Sequence, residues 1–216
     1  MLNPYSRVRA FFIRKYFSFF GKSSANTERL IKLACKVSPR TFPLAVKFSK
    51  VYRSANNNFS AERIIRFYET HESLKVDIAR ELFKMRSFYK VVRLFSKERH
   101  DEIEHKYGKN TVELIGDSYH ALRNFERALE YYEYIINTHK AAKSSRIKSA
   151  ECHYHCGNFK KSLFRLKQYI IRNGVNPRSR MLYSNIVGNQ AKKQYEKKLF
   201  LENKYGLKIN YKLEII

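Results

Sequence analysis

The densest grouping of chemically capable side chains in this 216-residue chain is Glu151-Cys152-His153-Tyr154-His155-Cys156. Two cysteines four residues apart share one side of a helix, and histidines between them invite a zinc reading, since thiolate and imidazole are preferred zinc ligands. Helix geometry opposes it. Steps of about 100° turn His153 and His155 away from the side shared by Cys152 and Cys156, and no second Cys or His pair stands at finger spacing. The expectation is that these cysteines are small buried apolar residues and that no metal or other cofactor is held. The chain also lacks GxGxxG, a P-loop, GxSxG, HExxH and any paired carboxylates in a recognisable frame. No catalytic residue is nominated, and the chemistry to look for is recognition.

Recognition is first a matter of charge. The chain has 44 Lys or Arg against 19 Asp or Glu, a formal net charge of +25. Residues 1–60 carry 12 basic side chains and one acidic, residues 61–140 carry 15 and 14, and residues 141–216 carry 17 and 4. Both ends are therefore basic and the middle is balanced. Nucleic-acid binding usually gathers its cations on one face that tracks phosphates, so this division makes nucleic acid a lesser candidate partner and an anionic membrane surface a better one.

The segment Tyr5–Phe20, YSRVRAFFIRKYFSFF, has seven aromatic rings, four cations and no acid. On a helix, Val8, Phe11, Phe12, Tyr16 and Phe19 form an apolar stripe, while Arg7, Arg14 and Lys15 lie off it and Arg9 adds a fourth charge. Three readings fit: a first helix packed on the next hairpin, an interfacial membrane helix, and an organellar targeting segment. The candidate membrane contacts are Arg7, Arg9, Phe11, Phe12, Arg14, Lys15, Tyr16 and Phe19.

The elements that position these groups follow from composition and repetition. Apolar residues reach 44%, so a core is expected despite the charge; 7 Gly and 4 Pro are too few for the turns of a sandwich or barrel, which leaves long helices with short connections. The stretch IGDSYHALRNFERALEYY from Ile115 has a counterpart, SAECHYHCGNFKKSLFRL, at Ser149. Gly116 meets Ala150, Phe125 meets Phe159, Ala128 meets Ser162 and Tyr132 meets Leu166, each 34 residues on. A weaker copy, IARELFKMRSFYKVVRLF from Ile78, sets Ala79, Leu82, Phe88, Val91 and Phe95 opposite Gly116, Tyr119, Phe125, Ala128 and Tyr132, 37 residues back, as though three residues were inserted in the connection. Small residues at Gly116, Ala128, Ala150 and Ser162 let paired helices approach, and the aromatics fill the wedge between hairpins.

The period and residue types resemble the tetratricopeptide repeat (TPR) family. Gly116, Tyr119, Phe125, Ala128 and Tyr132 occupy all five of the consensus positions considered, and the copy at 144–177 keeps Ala150, Gly157, Phe159 and Ser162 but has His153 at the first-helix aromatic position. The resemblance implies an all-α, right-handed solenoid of antiparallel helical hairpins. It also implies a concave groove, lined by the first helix of each repeat, that takes a protein or peptide partner. On this alignment the groove positions are Val76, Arg80, Phe83 and Lys84, then Glu113, Asp117 and His120, then Glu151, Tyr154 and His155. Glu113 and Asp117 depart from the Lys and Asn pattern with which chaperone-binding relatives clamp a carboxylate, so a basic or donor-rich partner is expected.

The chain divides into a basic aromatic segment at 1–24, N-terminal helices and a first hairpin at 25–72, the repeats with a capping hairpin at 73–206, and a strand-like tail at 207–216, LKINYKLEII. Helices are expected at 43–54 and 60–70, and a last hairpin at 178–188 and 190–204 with Lys192, Lys193, Lys197 and Lys198 on a solvated face. The functional expectation is a non-catalytic interaction or scaffolding module, cytoplasmic and peripheral at a membrane. The alternative is an accessory region of a larger enzyme, such as a bacterial surface-polysaccharide glycosyltransferase or polymerase.

Overall fold

A computed structural model describes residues 31–32, 38–139 and 142–205, apart from the side chains of 197–199 and 201–205. The N-terminal segment 1–24 and the tail 207–216 singled out in the sequence lie outside the described residues. Among the described residues from Ser38 onward ten α-helices follow one another: α1 Phe42–Ser54, α2 Asn58–Arg66, α3 Lys75–Lys84, α4 Phe88–Leu94, α5 His100–Tyr107, α6 Lys109–Ala121, α7 Phe125–Thr138, α8 Lys143–His155, α9 Phe159–Asn173 and α10 Pro177–Tyr205. The fold is all-α and TPR-like. The chain forms two compact units, Met1–Glu98 and Arg99–Ile216.

One turn recurs four times. Asn56, Arg86, Arg123 and Gly157 have φ of 58°, 59°, 58° and 74°, and each stands two residues before the second helix of a hairpin. At each, the next N–H reaches back to the carbonyl five residues earlier (Asn57 to Tyr52, Ser87 to Leu82, Asn124 to Tyr119, Asn158 to His153), while its own N–H bonds three residues back. This is a Schellman closure, which satisfies the last carbonyls of the first helix and reverses the chain without a long loop. Gly157 takes the left-handed conformation at no steric cost; the other three bear a Cβ there.

The hairpins α1/α2, α3/α4, α6/α7 and α8/α9 are thus equivalent, and α1/α2 is a fourth copy that the residue types had not revealed. Ser49, Ala79, Gly116 and Ala150 occupy one small first-helix position, and Ala61, Val91, Ala128 and Ser162 the facing position on the second helix; all are buried. Ile65, Phe95, Tyr132 and Leu166 fill the wedge one turn on. In the first unit, Phe42 packs edge-on against Tyr68 at 5.3 Å, and Tyr68 shares a 2.7 Å hydrogen bond with Thr41 Oγ1. In the second, Ala128, Tyr132 and Cys152 form one buried cluster, and Ala150, Leu163, Leu166, Leu182 and Ile186 another.

Two expectations are corrected. The last hairpin at 178–188 and 190–204 does not form: Pro177–Tyr205 is one helix of 29 residues that runs through Gly188 and Asn189. Gly188 has no positive φ and nothing stands near it, so it is an ordinary, costly helix residue. The insertion behind Phe95 is not confined to a connection either. The second helix of that repeat stops at Leu94 after seven residues, and an additional helix, α5, starts at His100. Three extra residues fall about 60° short of a full turn and would carry the apolar face of a continuous helix off register; here the helix breaks instead.

Candidate functional site

The face formed by the first helices of the second unit carries most of the predicted groove residues. Spacings of three and four put Glu113, Asp117 and His120 on one side of α6, and α8 presents Lys148, Glu151, Tyr154 and His155. The sequence showed these acids but not what faces them. Lys148 Nζ lies 3.0 Å from Glu113 and 2.8 Å from Asp117, and Asp117 also accepts a 2.7 Å hydrogen bond from the Tyr132 hydroxyl. Glu151 is held by Arg178 of α10, Nε and Nη2 each 2.5 Å from one carboxylate oxygen. Asn189 of α10 donates to the Tyr154 hydroxyl at 2.6 Å. Every link joins one first helix to its neighbour or to the helix behind it.

The electrostatics follow from half-burial. Burial pushes the Glu113 carboxyl up, but hydrogen bonds from Ser144 and Lys148 and the Lys148 charge outweigh it and hold the group below its usual range. Burial pushes the His120 imidazole down despite Glu151, whose carboxylate is 3.9 Å away. His120 stands edge-on to Phe125, and His155 stacks flat on the same ring at 4.3 Å. Burial followed by the Asp117 charge pushes the Tyr132 phenol far up, so it remains a donor.

Behind this face a second network ties three helices. Glu133 of α7 accepts from Ser149 Oγ at 2.5 Å and from Arg165 Nε of α9 at 3.0 Å, with His153 Nε2 3.7 Å away. Burial raises the Glu133 carboxyl; its bonds to His153, Ser149 and Arg165 bring it down to about 2. These contacts account for His153 at a position where an aromatic was expected: the imidazole serves a half-buried carboxylate.

The remaining candidates are placed as follows. Val76, Arg80, Phe83 and Lys84 lie on α3 in the first unit. There Arg80 pairs with Asp77, Lys84 with Glu81 at 2.6 Å, and Phe83 packs edge-on against Phe88 of its own hairpin. Cys152 is fully buried in the cluster with Ala128 and Tyr132, and burial raises its thiol far above the ordinary value. Among the described residues no three His, Cys, Asp or Glu side chains converge as a metal site. None of the described helices is long and apolar enough to cross a membrane.

No family model matches the chain and no curated protein matches it. Solved structures do. The structure reported as the functional characterization of Pseudomonas aeruginosa pilF superposes with a TM-score of 0.50 at 13% identity, covering 94% of this chain and 93% of that one. TPR-like repeats of a Podosopora anserina kinesin light chain superpose with a TM-score of 0.47 at 14% identity, over 85% of this chain and 98% of theirs. At such identity the likeness speaks to the fold: the chain is a TPR-like helical repeat protein.

Proposed function

We propose that the chain is a non-catalytic protein-interaction module whose first-helix face, from Glu113 on α6 to Asn189 on α10, receives a segment of a partner protein. The TPR-like fold supports a protein partner in general. The ladder of internal pairs supports this face in particular. Lys148 and Arg178 pre-orient three carboxylates, so little side-chain freedom is lost when a partner settles on them. Those three acids against two fixed cations leave the face close to neutral, which suits a partner rich in hydrogen-bond donors better than a strongly basic one.

The test must change the face without unfolding it. Reversing Glu113 and Asp117 to Lys would crowd Lys148 with like charge and remove the acceptor of Tyr132, confusing binding with stability. Exchanging the partners, Glu151→Arg with Arg178→Glu, keeps the ion pair and inverts what the face presents. Affinity capture from native cells is expected to lose the principal partner with the exchanged pair while the melting temperature stays within a few degrees; undiminished capture would move the site elsewhere.

For the N-terminal segment we propose contact with an anionic membrane surface, supported by its seven rings and four cations. Salt-sensitive binding to phosphatidylserine vesicles, lost on deletion of residues 1–22 with the helical fold retained, is the expected outcome. Collapse of the fold on deletion would identify the segment as core.

A further inference from the structure

The helix α10 outruns the hairpin on which it packs. Its 29 residues span about 43 Å whereas the 13 of α8 span about 20 Å. Leu182 and Ile186 are buried against Ala150, Leu163 and Leu166, but from Lys192 onward the described side chains of α10 are exposed. Where the overhang passes the start of α9, the two helices and the Gly157 turn enclose an open recess of about 750 Å³. It lies apart from the ion-pair ladder, and none of the residues proposed above to bind a partner lines it.

The recess has an apolar floor and a cationic rim. Leu163 is buried, Phe159 is half-buried, and Phe164 is 58% exposed, with the Arg165 guanidinium 5.7 Å from its ring centre and much of the ring left open to the recess. Lys160, Lys161, Lys167 and Lys193 surround these rings, all exposed, with Lys193 Nζ 4.7 Å from the centre of the Phe159 ring. No carboxylate lines the recess. In the same unit Lys148 is matched by Glu113 and Asp117; here four exposed cations line one space without an acid among them.

We propose that this recess is a docking site for an acidic peptide segment of another protein, one that carries a single large apolar side chain. The apolar group fills the space over Phe159, Leu163 and Phe164, and flanking carboxylates pair with the four lysines. A second copy of this chain is disfavoured as the occupant, because two molecules of formal charge +25 repel. A nucleic acid would be tracked by a line of cations following its phosphates, whereas these lysines ring one apolar hollow.

The experiment titrates the full chain, by fluorescence anisotropy at low salt, with a short labelled peptide of Glu and Asp around one central Phe. The same peptide with Ser for Phe and an oligouridylate serve as comparators. Binding is expected to weaken at least about tenfold when the peptide loses its Phe and again when the protein carries Phe164→Ser or Lys161→Glu with Lys167→Glu. Because these positions are exposed, far-UV circular dichroism should be unchanged and the melting temperature should not fall. The exchanged Glu151 and Arg178 pair should bind the peptide as the parent does, which separates this site from the first-helix face. Equal binding of the Phe-less peptide, or indifference to the lysine reversals, would overturn the proposal. So would tighter binding of oligouridylate with the same dependence on Phe164 and the lysines, which would assign the recess to nucleic acid.

Discussion

Two side chains of the second unit show how closely its chemistry depends on fit. A Cβ on Gly116 would stand 3.0 Å from Tyr132 Cε1 and 3.1 Å from Tyr131 Cβ, and Tyr132 cannot retreat while its hydroxyl is held by Asp117. Gly116→Ala is therefore expected to cost about 1–3 kcal/mol in urea unfolding, although alanine is the better helix former. Glu133 governs the acid side of stability. Its folded pKa of about 2 lies below the ordinary 4.5, so its contribution is complete above pH 4.5 and disappears as pH falls toward 2. With the side chain 25% exposed, that contribution is about 2–3 kcal/mol at neutral pH. His100 and His120 act in the same direction one step earlier: burial depresses both, so acid costs stability as it charges them below their usual 6.5. Glu133→Gln should lower the melting temperature at pH 7 and flatten its decline below pH 4.5, leaving the histidine limb in place. A parallel, unflattened decline would remove Glu133 from that role.

At the scale of elements, Gly188→Ala tests the continuity of α10. An added Cβ there meets nothing within 4 Å, so in a continuous helix the change should stabilise by about 0.5–1 kcal/mol. If the chain turned at 188–190, as the sequence suggested, the alanine would destabilise. The hairpin was misplaced because residue types alone do not distinguish one long helix from two shorter ones meeting at 188–190. The repeats α6/α7 and α8/α9 were legible because small and aromatic residues at fixed spacing are what close helix packing demands. The copy at α1/α2 was not, since Ser49 and Asn58 occupy the positions of Ala79 and Phe88. A readable signal did exist in the polar residue opening each second helix: Asn57, Ser87, Asn124 and Asn158. The ion-pair ladder could not be read at all. Its partners lie 35, 31 and 27 residues apart, none at the repeat period, because they join flanks of successive helices and not equivalent positions.

At the scale of the molecule, two opposing electrostatic effects set the response to salt. The ladder and the Glu133 network pair charges whose side chains are mostly about 15–27% exposed, where screening is weak. Against them stands a net charge of +25, concentrated at the two ends of the sequence and, within the second unit, on a helix α9 that has five basic residues and no acid. Lys160 and Lys161 even occupy the first turn of α9, where the helix dipole disfavours cations by about 0.3–1 kcal/mol each. Repulsion among exposed like charges acts over distances comparable with the roughly 10 Å Debye length at 0.1 M salt, so salt should relieve it more than it weakens the half-buried pairs. The melting temperature of the full chain is accordingly expected to rise by several degrees between low and moderate salt. The gain should be smaller for Lys160→Glu with Lys161→Glu, which removes repulsion at the start of α9 and supplies the acids that position favours. A melting temperature that fell with added salt would mean that the paired charges, and not the unpaired cations, dominate the electrostatics of the fold.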